Sequence, residues 1–393
     1  MKNNSLTLSI LLLNLFIAFL GIGLVIPVTP TIMNELNLSG AMVGYMIAAF
    51  AGTQLLLSPL AGRWADQYGR KILIIIGLFI FSFSEYLFGI GTSVEMLFLS
   101  RMLGGVSAAL IMPGVTAFIA DITTLETRPK ALGYMSAAMS TGFIIGPGIG
   151  GFMAEFGTRL PFFFAAGLGA LAAVLSILIL KEPERNPENE MIESSIAGKG
   201  IGRILTPLYF LPFLIILIST FGLASFESLF SLFADRKFGF TPMDIAIMIT
   251  GGALIGAFAQ IVLFARLAKL LGEIKLIRYS LIVSTILVFF MTVVNQYVSI
   301  LLVTITLFVG FDLMRPAVTT YLSRIAGSEQ GFVSGMNSMF TSIGNVMGPV
   351  IGGLLFDVNM NYPFYFATVT LCAGIGLTLL WKVPAPVKAK ISD

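Results

Sequence analysis

The chain has 393 residues, of which 57% are hydrophobic and only 11% charged, with a net charge of +3 and a mean hydropathy of +0.96. An ordinary soluble domain is about 25% charged, so this chain cannot clothe a water-exposed surface and reads as an integral membrane protein. A net charge this small says little about partners, and nucleic acid is not expected among them; the single Cys372 excludes an internal disulfide, and the absence of histidine leaves no usual metal cluster.

Apolar runs of about 20 residues can cross a bilayer core as helices. Twelve occur in chain order. The first, 6–28, is long enough to span and lacks a small-residue cleavage site, so it reads as a span rather than a leader. It carries Asn14 at membrane depth, with Phe16 and Phe19 near it. The second, 40–61, places Met46, Phe50, Gln54 and Ser58 at intervals of four, a mixed stripe on one face. A loop "GRWADQYGRK" follows, from Gly62 to Lys71. Gly69 permits a tight turn there, Asp66 can cap or pair with a neighbouring helix end, and Arg70 and Lys71 face the basic side. The loop reads as a gate rather than a binding site, because a loop ion pair breaks cheaply.

The third span, 72–91, holds Glu85, and the fourth, 96–120, begins near Arg101; the two either pair across helices or stand apart. The fifth, 131–155, contains "GFIIGPGIGG". Gly142, Gly146 and Gly150 make a smooth stripe where another helix can come close, and Pro147 permits a bend. Met139 and Phe143 lie toward the same face. After the sixth span, 160–180, residues 181–206 are rich in charge, proline and glycine and read as a linker.

The second half runs through spans 207–233, 243–265, 276–295, 298–322, 331–356 and 362–382. Glu227 lies in its first span. In 298–322, Thr304, Phe308, Asp312, Arg315 and Thr319 fall on one helix face. A stripe with an acid, a base and two hydroxyls should face a cavity or a partner helix, not lipid. Span 331–356 contains "GNVMGPVIGG", 202 residues after the first glycine block (142 to 344). Here Thr341, Asn345, Gly348 and Gly352 repeat the pattern, with Pro349 in place of Pro147. The offset also relates "PFFFA" at Pro161 to "PFYFA" at Pro363. Parallel six-helix repeats put a pseudo-twofold axis along the membrane normal, with the substrate site between the halves. The expected architecture is therefore all-α, with a bundle at 1–180, a linker at 181–206 and a second bundle at 207–393.

With the N-terminus inside, 18 of the 23 basic residues fall on the inner side and only Arg159, Arg236 and Lys237 on the outer. This bias predicts cytoplasmic termini.

The motifs resemble those of the major facilitator superfamily, in its twelve-helix drug/proton antiporter branch, and the chain is most similar to the Gram-positive multidrug exporters of the Bmr and NorA type. "GRWADQYGRK" resembles the superfamily loop between helices two and three, although Gln67 stands where arginine is common. "RMLGGVSAA", from Arg101 to Ala109, resembles its helix-four motif, and the glycine block of the fifth span resembles the antiporter signature. The corresponding second-half loop, "ARLAKLLGEIK", keeps mainly Gly272 and basic charge. The resemblance covers essentially the whole chain. It implies alternating-access export from a bacterial cytoplasmic membrane, and a proton-relay role for Arg101.

Without histidine, a side chain that exchanges protons near neutral pH must be a carboxylate whose neutral form is favoured by burial. Glu227 and Asp312 are the candidates, with Arg315 beside them; the alternative is a buried ion pair that only orders the bundle. Phe16, Phe50, Gln54, Met139, Phe143, Phe308, Thr341 and Asn345, with the two acids, are the expected drug-binding residues. Gly62, Asp66, Gly69 and Arg70, with Gly142, Gly146, Pro147, Gly150, Gly348 and Pro349, are the expected gating residues. Helix five is expected to meet the second half, and helix eleven the first, along a seam that rocks. The expected partners are lipophilic drugs and dyes, protons and the bilayer, with no cofactor and a monomeric state. The alternative function is a narrow-specificity metabolite or sugar transporter of the same fold. No phosphate-binding G-x-x-x-x-G-K-[ST] loop is present, and nothing suggests an enzyme.

Overall fold

The structure, a computed structural model, describes residues 2–124, 126–183, 207–326 and 330–380. Most of the expected linker and the residues after 380 lie outside this set. The described chain forms α1 Lys2–Val25, α2 Thr29–Glu35, α3 Gly40–Tyr68, α4 Arg70–Ile90, α5 Val94–Ile122, α6 Arg128–Ala154, α7 Leu160–Ile179, α8 Pro207–Phe238, α9 Pro242–Leu271, α10 Glu273–Val293, α11 Tyr297–Ala326, α12 Gln330–Val358 and α13 Tyr362–Leu380. All but α2 are long and apolar enough to span a membrane, giving the expected twelve. The short α2 lies between the first two expected spans, in residues assigned to neither. Pro30 in its first turn starts it after the turn that ends α1.

The repeat is visible in the packing. Within the first half α1 packs on α6, α3 on α5, and α4 on α5 and α7; the second half repeats this as α8 on α12, α9 on α11, and α10 on α11 and α13. Between the halves, α3 packs on α12 and α6 on α9. The expectation that helix five meets the second half and helix eleven the first is therefore met.

The role expected for the glycine stripe is corrected. Gly142, Gly146 and Gly150 do not face the other half. A side chain at Gly142 would meet the Phe16 carbonyl at 2.5 Å, one at Gly146 the Leu20 carbonyl at 2.7 Å, and one at Gly150 the Leu24 carbonyl, all on α1. Gly344, Gly348 and Gly352 press on Phe221, Ala224 and Ser225 of α8 in the same way. These columns weld each half internally. The seam between halves uses the neighbouring glycines. Gly151 lies against Ala246 and the Pro242 carbonyl, Gly353 against the Gly40 carbonyl at 2.5 Å, and Gly44 against the Pro349 carbonyl. One residue is 100° of helix, so each Gly-Gly pair puts one glycine on the internal weld and the next toward the seam. Pro147 sits against Gly23 of α1.

All of these seam contacts lie near the start of α3 and α9. Beyond Met46 on α3, the next buried residues are Ala61 and Ala65, which join a core cluster of the first half, and α9 has none past Ala259. The halves thus touch at one end and part toward the end that carries the basic loops.

The three basic residues that break the charge bias are all held by backbone carbonyls. Arg159 donates to the Gly89 and Gly91 carbonyls at the end of α4, at 3.0 and 2.6 Å, and pairs with Glu35 at 3.2 Å. Lys237 donates to the Thr292 and Met291 carbonyls at the end of α10, at 2.6 and 3.3 Å. Arg236 donates to the Leu38 carbonyl at 3.2 Å. Cations are favoured where helix C-termini leave carbonyls unpaired.

Gly146→Leu should destabilise the first half by about 3 kcal/mol, read as a lower melting temperature of the purified protein in detergent. Gly353→Leu should leave that melting temperature close to the parent's while separating α3 from α12 in a distance measurement. Equal melting of Gly146→Leu and the parent would contradict the internal weld.

Candidate functional site

Glu227 on α8 and Arg315 on α11 form an ion pair, Nη2 to Oε1, at 3.3 Å. Both side chains remain open to the cleft, 41% and 57% exposed. Asp312 lies one turn from Arg315, half-buried, with Arg315 and Glu227 as the charges around it. Two acids therefore share one base. A half-exposed pair contributes about 1 kcal/mol or less, so Arg315 can be drawn off Glu227 without large cost.

A cavity of about 430 Å³ adjoins this cluster, lined by Ser140 of α6, Gln260 of α9, and Asp312, Arg315, Pro316, Thr319 and Thr320 of α11. Its size is in the range of small-molecule sites. It opens between the halves, since α6 belongs to one and α9 and α11 to the other. The α11 residues recur every three to four positions and so share one face.

The stripe expected on α11 divides along its length. Thr304 is buried, its hydroxyl 3.8 Å from the Met291 sulfur. Phe308 packs on Gly252 of α9, Asp312 on Gly256, and Arg315 and Thr319 face the cleft. Gly252, Gly256 and Gln260 form a column of four-residue steps on α9. The glycines admit the α11 side chains, and the amide takes the next turn, in the cavity wall. Sequence reading passed over this column, along with Ser140 and Thr320. Its signal was a lone amide four residues beyond two spaced glycines.

The remaining binding candidates do not line that cavity. Phe50 of α3 packs on Gly104 of α5, and Gln54 backs onto Gly105. Met139 is half-buried against the core of the first half, and Phe16 sits half-buried at the α1–α6 weld. Phe143 is exposed, Thr341 is half-buried, and Asn345 is exposed one turn from Pro349 on the side turned toward α3. Asn14 is removed from the cleft: it is fully buried and donates to Ser176 of α7 at 2.8 Å.

Arg101 pairs with Glu85 at 3.2 Å, which resolves the open question in favour of an interhelical pair. The side chains are 15% and 4% exposed, and the guanidinium lies 4.3 Å from the Phe88 ring centroid. Ser84 and Ser100 exchange hydrogen bonds beside it, each donating to the other's carbonyl at 2.7 and 2.8 Å. This cluster lies between α4 and α5 and does not share the cavity of Asp312.

At the basic end, Arg70 pairs with Asp66 at 2.8 Å and with Asp121 of α5 at 3.0 Å. The carboxylate of Glu182 accepts from the Arg70 and Lys71 N–H groups and so caps α4, which has no cap of its own. Gly69 has φ +103°, and a side chain there would meet the Glu182 carboxylate at 2.8 Å. A side chain at Gly62 would meet nothing within 4 Å. In the second half Gly272 keeps a positive φ of 77°, and Glu273 pairs with Arg324 at 3.0 Å. These charges bind helices within a half. Asp121 and Glu182 were not foreseen, because each lies outside the loop motif.

No group of three or more Cys, Asp or Glu able to hold a metal occurs among the described residues. The family model of the Major Facilitator Superfamily matches residues 11–327 and 212–393. Multidrug resistance protein 1 of Bacillus subtilis is 73% identical over 389 residues, covering 99% of this chain and 100% of that protein. The quinolone resistance protein NorA of Staphylococcus aureus is 44% identical over 373 residues, covering 95% and 96%. Among solved structures, a bacterial homologue of the human lysosomal transporter Spinster, in an inward-facing and occupied conformation, superposes with a TM-score of 0.82 at 17% identity, covering 97% of each chain. The twelve spans, their twofold repeat and these matches agree: the chain is a multi-pass membrane transporter, not an enzyme, and belongs to the Major Facilitator Superfamily.

Proposed function

We propose that this protein exports lipophilic, often cationic compounds across the bacterial cytoplasmic membrane in exchange for protons. The relatives named for multidrug and quinolone resistance support this reading. The observation that carries it is the unequal charge count in the cleft: Glu227 and Asp312 against Arg315 alone. With both acids ionised the cluster holds one net negative charge and attracts a lipophilic cation. One added proton cancels that charge and weakens the attraction. Drug and proton then compete for the same acids. Binding one on each side of the membrane drives exchange when the cleft opens alternately.

In this reading the basic end faces the cytoplasm, both termini lie there, and the described state is open inward. Bundles 1–180 and 207–393 rock about their seams as a monomer, joined by segment 181–206. Phe50, Gln54, Phe143, Phe308 and Asn345 supply an adaptable apolar and amide lining as the cleft narrows, and aromatic faces favour cations. The Asp66–Arg70–Asp121 cluster sets the position of the inner gate, and Asp66→Asn slows turnover more than it weakens drug binding.

In proteoliposomes with an imposed pH gradient, Glu227→Gln and Asp312→Asn should each slow ethidium efflux by about tenfold, the loss expected for about 1.4 kcal/mol of interaction. Undiminished proton-driven efflux in both single variants would sink the proposal, as would efflux that survives a protonophore but requires a sodium gradient. Gly256→Ala puts a methyl group against the Asp312 carboxylate. It should weaken equilibrium ethidium binding about tenfold while leaving the melting temperature within a few degrees of the parent's.

A further inference from the structure

The outer seams of the two halves are not equivalent. On one, Asp357 at the end of α12 reaches across to the start of α3. Its Oδ1 accepts from the Gly40 N–H at 2.6 Å and its Oδ2 from the Ala41 N–H at 2.9 Å. A carboxylate at a helix N-terminus satisfies unpaired donors and meets the positive end of the helix dipole. Two further bonds cross at the same place: Asn34 donates to Asp235 at 2.9 Å, and Arg236 donates to the Leu38 carbonyl at 3.2 Å with its guanidinium 5.5 Å from the Phe356 ring centroid.

The 202-residue offset puts an acid, Glu155, at the matching place at the end of α6. Its natural counterpart is the start of α9. That start cannot receive it through the same pair of donors, since Pro242 stands where α3 has Gly40. Pro242 occupies the first turn and has no N–H. Thr241 and Asp244 already cap each other, the Thr241 N–H donating to Asp244 at 3.0 Å and the Asp244 N–H to Thr241 at 3.2 Å. The Asp244 carboxylate would also repel a second acid. No hydrogen bond or ion pair joins the Glu155 carboxylate to the described residues. The α6–α9 seam is instead close packing of Gly148 and Gly151 against Thr250, Ala246 and the Pro242 carbonyl, with no carboxylate across it.

We infer that Asp357 is a gate residue of the transport cycle, a one-sided outer latch whose carboxylate holds α3 to α12 while the cleft is open to the cytoplasm and has to release before the outer end opens. The α6–α9 seam, without such a bond, is the side on which the halves slide. This rests on the alternating-access reading above, and it assigns the outer gate to a residue far from the charged cluster.

The test uses the full chain with Cys372→Ser and spin labels at Met42→Cys and Tyr362→Cys, two exposed outer-end positions in opposite halves. Distances are read in nanodiscs without drug or gradient. The parent should populate mainly the short distance. Asp357→Ala should raise the ratio of long to short distances about tenfold, as expected for losing hydrogen bonds to a charged group. Asp357→Glu should restore much of the short population, and Glu155→Ala should leave the ratio unchanged. An unchanged ratio in Asp357→Ala, or an equal shift in Glu155→Ala, overturns the latch. Ethidium binding by each variant reports an intact fold; if Asp357→Ala fails to bind, Asp357→Asn, which cannot supply two acceptor oxygens, is read by the same criteria. A parent that lacks proton-driven ethidium efflux would sink the export reading while leaving the distance readout standing.

Discussion

Hydrocarbon offers no hydrogen bonds, and the rest of the structure depends on that constraint. Every backbone polar group at membrane depth has to be satisfied within the protein, so the chain is helical throughout its spans. Helices in lipid associate by close packing and not by exclusion of water. Close packing needs small residues at the contact, and here it brings α1 onto α6 and α8 onto α12 through glycine columns that lie directly on carbonyl oxygens. The same constraint governs the helix ends. Unpaired carbonyls of α4 and α10 take the cations of Arg159 and Lys237, and unpaired N–H groups of α3 and α4 take the carboxylates of Asp357 and Glu182.

Two kinds of contact follow, and they differ in how easily they break. The glycine welds within a half are continuous over several turns and admit no side chain, so each half packs as one unit. The contacts between halves are confined to one end and combine short apolar stretches with a few polar bonds. A structure that must open alternately at its two ends needs this division. Strong contacts keep the six-helix units whole, and weaker ones join them.

The fold was legible in the sequence because its signals are long. Twelve apolar runs and a repeat spanning half the chain each integrate over many residues. The site was legible in part. Glu227, Asp312 and Arg315 were found because charge at membrane depth is rare, and the structure brings them together. Gln260 and Ser140 were missed because a single amide or hydroxyl in a span is ordinary. Gly142 and Gly151 could not be told apart by composition: which glycine faces its own half and which the other depends on helix rotation about the bundle, which a repeat does not reveal. Asp121 and Glu182 complete the loop cluster from distant parts of the chain, and only tertiary structure joins them to Arg70.

The repeat extends to the scaffold and stops at the charges of the cleft. Subtracting the 202-residue offset from Asp312 gives Leu110, and subtracting it from Glu227 gives Val25, both apolar. The first half has its own acid and base, Glu85 and Arg101, but buries them together under Phe88, where breaking the pair would leave an uncompensated charge at a cost of about 3–5 kcal/mol. The second half leaves its acids and base half-open to the cleft, where rearranging them is far less costly. One copy of the repeat thus buries its charges between helices, and the other leaves them open to the cleft. The outer seams divide in the same way, one carrying a carboxylate on a helix end and the other only close packing at a helix that starts with a proline. A repeat supplies two equal bundles with equal ends, but a transporter that moves its substrate one way needs them unequal. In this chain the inequality rests on a few residues placed where the helices already meet.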